Sequence, residues 1–151
     1  MKRILSAALA ALVVPELAFA SLGGTVATVE TDRVQMKAAL VGIRTTGPYT
    51  VHTILSPTGT TIREYYGTGG VIFGVAWQGT WQPDLRQLFG AYFEPYQRSL
   101  ESARKARKAR GAVAIDDGTM VVRMGGHIRS VSGIAYVPQL LPSGVDPGVV
   151  R

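Results

Sequence analysis

Between Tyr49 and Trp77 the chain alternates between two kinds of side chain, and this limits its fold more than any other feature of the sequence. Tyr49, Val51, Thr53 and Leu55 fall on one side of an extended segment, and Thr50, His52 and Ile54 on the other, because successive strand side chains point to opposite faces. Ser56, Pro57, Thr58 and Gly59 follow, with proline where its fixed φ suits a turn and glycine at the fourth position. A return strand from Thr60 to Tyr66 sets Ile62, Glu64 and Tyr66 against Thr61, Arg63 and Tyr65. Gly67, Thr68, Gly69 and Gly70 make a second turn, and Val71 to Trp77 a third strand, with Val71, Phe73, Val75 and Trp77 on one face and Ile72, Gly74 and Ala76 on the other. Three strands joined by tight turns predict an antiparallel meander.

Beyond a connector from Gln78 to Pro83, the period changes. Leu85, Leu88, Phe89, Tyr92, Phe93 and Tyr96 recur at three- and four-residue steps, which predicts a helix with a wide apolar stripe. Asp84 stands where a carboxylate can accept the first unbonded N–H groups, and Pro95 is expected to kink the helix or end its first part. The polar continuation YQRSLESARKARKARG is helix-prone, with Gly111 as its stop. Two more strands are predicted at Thr119 to Met124 and from His127 to Ile134 or Val137, joined by Gly125 and Gly126. Asp32 to Leu40 reads as a short helix, and residues 138–151, rich in proline and glycine, as a loose tail.

Together these elements predict one α+β domain over residues 21–137: an antiparallel sheet of about five strands, a three-strand meander plus a C-terminal hairpin, packed against one main helix. Its core would join the helix stripe to Val71, Phe73, Val75 and Trp77.

The chain opens MKRILSAALAALVVPELAFA, with Lys2 and Arg3 before an apolar run from Ile4 to Val14 and a small-x-small site at Ala18, Phe19 and Ala20. This is the pattern of a secretory signal peptide cleaved after Ala20, since about 11 apolar residues are too few to cross a bilayer. Cleavage would leave about 131 of the 151 residues, enough for one domain with its own core, in the periplasm or outside the cell. Zero cysteines leave burial and hydrogen bonding to hold such a domain, and exclude thiol catalysis, CxxC redox centres and cysteine-based metal sites. The net charge of +6, about +5 after processing, favours anionic partners: an envelope protein or an anionic surface rather than nucleic acid.

With Ser21 to Gly24, Tyr49 to His52, Arg63 to Tyr65, Phe73 to Gly79, Pro83 to Leu88 and Gly90 to Phe93, the chain resembles an uncharacterised family of exported, chiefly proteobacterial proteins, domain-of-unknown-function family 2844. The resemblance runs through most of the mature chain to about Phe93, and the Trp77-Gln78-Gly79 to Pro83-Asp84-Leu85 segment carries most of it. It implies a small exported single-domain protein and brings no activity, cofactor or catalytic residue.

Candidate functional residues fall into three groups. Trp81, Gln78 and Arg86 are candidates for a polar-aromatic recognition patch, while Trp77, Asp84, Phe89 and Phe93 read as the joint seating the helix on the sheet. Arg104, Lys105, Arg107, Lys108 and Arg110 form a basic run that either contacts an anionic surface or is a solvated helix end whose cations complement the C-terminal dipole. His52 and Glu64, near each other across the predicted hairpin, could serve a small hydrolase or isomerase, but no nucleophile stands at a diagnostic spacing. His127 is a hairpin residue, and Asp116, Asp117 and Gly118 read as a turn rather than a calcium loop. No pattern calls for a metal or cofactor. A non-enzymatic exported binding or accessory protein is therefore the leading expectation, with an envelope structural or assembly factor as a further alternative.

Overall fold

The computed structural model describes residues 22–27, 34, 37, 39–106 and 111–151. Seven strands form one fully antiparallel sheet: β1 (Ala39–Thr46), β2 (Tyr49–Leu55), β3 (Thr61–Gly67), β4 (Ile72–Gly79), β5 (Val113–Asp116), β6 (Val121–His127) and β7 (Ser130–Tyr136), in the spatial order β1-β2-β3-β4-β7-β6-β5. The fold is thus mostly β, with seven strands rather than about five, and this corrects the α+β expectation. Two strands escaped the sequence reading. β1 begins where Ala39 and Leu40 had been assigned to a helix, and β5 lies in the short apolar stretch after Gly111, which had been given no element. The expected signal peptide, and the Asp32 to Leu40 helix apart from Val34, Lys37, Ala39 and Leu40, lie outside the described residues.

Each face of the sheet carries its own core. Ile54, Ile62, Val75, Trp77, Ala135 and Val122 lie beneath the helical segment and Leu22, while Tyr65, Phe73 and Ala76 lie under residues 140–150 on the opposite face. A β-bulge divides β4 between them. Tyr65 pairs with Gly74 and Tyr66 with Ile72, so Phe73 is the extra residue and joins Gly74 on the far face. Phe73 therefore leaves the set of Val71, Val75 and Trp77 in which strict alternation had placed it, and every residue from Ile72 to Trp77 is buried.

The helical segment has two parts, α1 (Leu85–Phe89) and α2 (Phe93–Ala106), joined by a 3-10 turn at Gly90–Tyr92. Gly90, at φ 50°, makes the break where Pro95 had been expected to make it. Pro95 instead occupies the first turn of α2, where its missing N–H has no intrahelical partner to lose. Trp77 seats the segment: its ring lies 6.0 Å from Phe89, which meets Tyr96 edge-on at 5.1 Å.

The β6–β7 hairpin turns at Ile128 and Arg129, with Arg129 at φ 64°, and not at the glycine pair. Gly125 and Gly126 stay inside β6 opposite Ser132 and Val131, and a Cβ on Gly126 would run into the Ser130 carbonyl. Residues 138–151, expected to be loose, are seated on the sheet. Val150 is 2% exposed and packs where a Cβ on Gly74 would come within 2.7 Å of it.

Close approach makes one glycine diagnostic. Gly133 lies under the Trp77 ring, and a Cβ there would collide with the indole and with Met124. In urea unfolding, Gly133→Ala is expected to lose about 1–3 kcal/mol, whereas Gly69→Ala, with open space at its Cβ, stays within about 0.5 kcal/mol of the parent.

Candidate anion-binding site

On the face that holds residues 140–150, register builds a row of side chains across the middle of the sheet. Arg63 of β3 pairs with Ala76 of β4, Ala76 with Ile134 of β7, and Ile134 with Arg123 of β6. Directly paired residues share a face. Two arginines therefore bracket two uncharged residues. The adjoining row is Thr61, Gln78, Ser132 and Gly125, small or neutral throughout. On the other side the Tyr65, Gly74 and Tyr136 row begins the region packed by the chain's last residues.

Where that packing stops, a cleft of about 470 Å³ opens over these rows, and Arg63, Gln78, Arg123, Ser132, Ile134 and Arg151 are among the residues that line it. Arg63 Nη1 donates to the Arg151 main-chain oxygen at 3.3 Å. The same oxygen accepts from Tyr65 Oη at 2.7 Å, and the Arg151 N–H donates to that hydroxyl at 3.2 Å. Arg151 is thereby fixed beside β3. No aspartate or glutamate lines the cleft. Arginines gathered with no acidic side chain among them make a concave surface attractive to anions.

The candidates from sequence disperse over the molecule. Gln78 lines the cleft. Arg86 belongs to α1, where its guanidinium stacks 4.4 Å over the Phe93 ring and pairs with Glu94 at 3.2 Å, so it is engaged in holding the helical segment together. Trp81 is 58% exposed, and its backbone is pinned by Thr60, whose Oγ1 donates to the Trp81 carbonyl at 2.7 Å. Asp84 Oδ1 accepts from the N–H groups of Arg86 at 2.8 Å and Gln87 at 3.3 Å. Trp77, Phe89 and Phe93 pack in the helix-side core. Arg104 and Lys105 are exposed in the last turn of α2, while Arg107, Lys108 and Arg110 lie outside the described residues. Sequence reasoning missed Arg123, Ser132 and Arg151, and placed Arg63 in no candidate site. No spacing in the chain links them, because their proximity exists only through the β4–β7 pairing.

His52 and Glu64 do face each other, as paired residues of β2 and β3 on the helix side. His52 is 8% exposed and Glu64 fully buried. His52 Nε2 lies 2.9 Å from Tyr66 Oη, and the two rings meet edge-on at 4.8 Å. Burial lowers the His52 pKa from its ordinary 6.5, favouring the neutral ring. The triad is thus a packed polar layer within the sheet. Asp117 caps the β5–β6 turn: burial opposes its ionisation, but hydrogen bonds from Ser99 Oγ and the N–H groups of Met120 and Thr119 outweigh that and hold its carboxyl below the usual value. Among the described residues no group of three or more His, Cys, Asp or Glu could hold a metal, and no helix is long and apolar enough to cross a membrane.

Fold and site together define a mostly-β, single-sheet protein with an arginine-lined cleft on one face. The family model described as "Protein of unknown function (DUF2844)" matches residues 18–150, nearly the whole chain, and the chain belongs to that family. No curated protein and no solved structure matches it.

Two measurements check the local chemistry. Asp84→Ala, which removes the cap of α1, is expected to cost about 1 kcal/mol of stability. Because folding lowers the His52 pKa, the unfolded chain binds the extra proton first, so stability is lost as pH falls below 6.5. Thermal unfolding between about pH 7.5 and 5 should show this decline, and His52→Gln should flatten it.

Proposed function

We propose that the protein is an exported, non-enzymatic binding or accessory protein of the cell envelope, and that its cleft over β3, β4, β7 and β6 takes an anionic component. The observation that carries this reading is the set of Arg63, Arg123 and Arg151 around one cleft with no acidic side chain in its lining. Arginine suits the task because its planar fork of donors matches phosphate and carboxylate oxygens and keeps its charge at any physiological pH. The basic excess of the whole chain adds a long-range field of the same sign. Export rests on the pattern of residues 1–20, and a periplasmic or secreted location follows from it.

The site offers binding chemistry without reaction chemistry. Its lining supplies fixed positive charge, an amide and a hydroxyl, but no histidine, aspartate or glutamate side chain to move a proton. The buried His52 belongs to the other face of the sheet.

Titration of the purified protein with inorganic phosphate and with a sugar phosphate tests this. Saturable binding that weakens as salt rises is expected, and a combined Arg63→Gln, Arg123→Gln variant should bind at least about tenfold more weakly with an unchanged melting curve. Equal affinity in parent and variant would overturn the assignment. Fractionation of cells expressing the full chain, with N-terminal sequencing of the product, is expected to place the protein outside the cytoplasm, beginning at Ser21.

A further inference from the structure

Register brings several chain segments to one end of the sheet. Leu55, the last residue of β2, pairs with Thr61, Thr61 with Gln78 near the end of β4, Gly79 with Val131, and His127 with Ser130 at the start of β7. The exit from β4 through Trp81 and the β6–β7 turn at Ile128 and Arg129 therefore project from the same end. α2 points the same way. Ser99 bonds Asp117 beyond the far end of β5, Ser102 and Ala103 share a hollow with Ala114 and Ile115, and the chain re-enters the sheet at Val113, so Arg104 and Lys105 in the last turn of α2 lie towards the Ile128 end. Gln82, Gly111 and His127 line one more hollow, where the β4 exit, the return from α2 and the hairpin stem converge.

Apolar exposure and positive charge meet at that end. Ile128, at the tip of its turn, is 94% exposed, and Trp81, Leu55 and Leu40 at the start of β1 are exposed as well. Among the described residues no turn at the opposite end exposes a large apolar side chain, and that end holds Asp116 and Asp117 instead. Arg129, Arg104 and Lys105 are exposed cations. The acids on the same segments are Asp84, whose Oδ1 accepts from two N–H groups of α1, and Glu101, one turn back along α2. The bond from Thr60 to the Trp81 carbonyl presents the indole from a fixed backbone.

Tryptophan settles at the headgroup level of a bilayer, an aliphatic tip reaches the acyl boundary, and cations are drawn to anionic headgroups. The exposed apolar side chains stand on separate strand ends rather than in one groove, which suits a deformable lipid surface better than a rigid partner. We propose that this end of the sheet docks on an anionic phospholipid membrane, with Trp81 and Ile128 entering the interface and Arg104, Lys105 and Arg129 against the headgroup phosphates. The surface is separate from the arginine-lined cleft and does not rest on it, since none of these five residues lines that cleft.

Trp81 itself reports the contact. The chain has two tryptophans and Trp77 is buried, so a change in emission on adding vesicles comes from Trp81. The full chain would be titrated with vesicles of equal parts phosphatidylglycerol and phosphatidylcholine, and with vesicles of phosphatidylcholine alone. A blue shift, with quenching by lipids brominated on their acyl chains, is expected on the first and not on the second, and it should weaken as salt rises. Ile128→Ser should loosen binding to the anionic vesicles at least about threefold, and Arg104→Gln, Lys105→Gln and Arg129→Gln together at least about tenfold, with melting curves unchanged. Residues 1–20 hold no tryptophan and are common to parent and variants, so these differences report on the sheet end alone. Inorganic phosphate at constant ionic strength should leave the protein on the vesicles. Displacement by phosphate would put the lipid headgroup in the cleft and overturn the docking surface. Equal binding by parent and variants would overturn it too, as would unchanged Trp81 emission, which would leave the exposed tips to a protein partner and the cleft reading untouched.

Discussion

At Phe73 and Gly74 two successive residues of β4 face Tyr65, and the whole two-sided architecture depends on that extra residue. A strand in strict alternation serves each face at every second position. The bulge lets β4 send Ile72, Val75 and Trp77 to the helix side while Phe73, Gly74 and Ala76 serve the other, with none of the six exposed. Buried side chains of this size each contribute about 1.5–3 kcal/mol, which is how a chain with no cysteine sustains a single sheet with a core on each side. Glycine at 74 completes the arrangement, because the bulge brings that position against Val150 and leaves no room for a side chain.

Local pattern made much of this legible. The bounds of β2, the turn after it and the apolar stripe from Leu85 to Tyr96 follow from period and turn chemistry alone. What escaped depended on partners distant in sequence. β1 carries Leu40, Val41 and Ile43 exposed at a sheet edge, so it never acquires the buried alternation by which a strand is recognised. Gly125 and Gly126 have the composition of a turn, yet their smallness serves the close approach of β7, and the chain reverses at Ile128 and Arg129 instead. Phe73 follows its neighbours' alternation on paper, and only the pairing of Tyr65 and Tyr66 with β4 reveals the slip. The last fourteen residues have a loop's composition, but Val145, Val149 and Val150 give them an apolar side that the sheet can bury.

The cleft was the least legible feature of all. Arg63 and Arg123 each look like the solvent-facing residue of an ordinary strand, and sixty positions separate them. Sequence drew attention instead to the dense signals, the segment from Trp77 to Arg86 and the basic run, and in the first of these Trp77 and Arg86 serve packing in the fold. The residues that line the cleft come from several strands and the chain's last residues rather than from one motif.

The order of the strands gives the cleft one more property. β1 to β4 pair with their neighbours in sequence, as do β5 to β7, so the sheet consists of two ribbons joined along the single seam between β4 and β7. Arg63 belongs to the first ribbon and Arg123 to the second. A molecule held by both would act as a clasp across the joint, bound only while the halves are together and drawing the equilibrium toward the assembled sheet in proportion to its concentration.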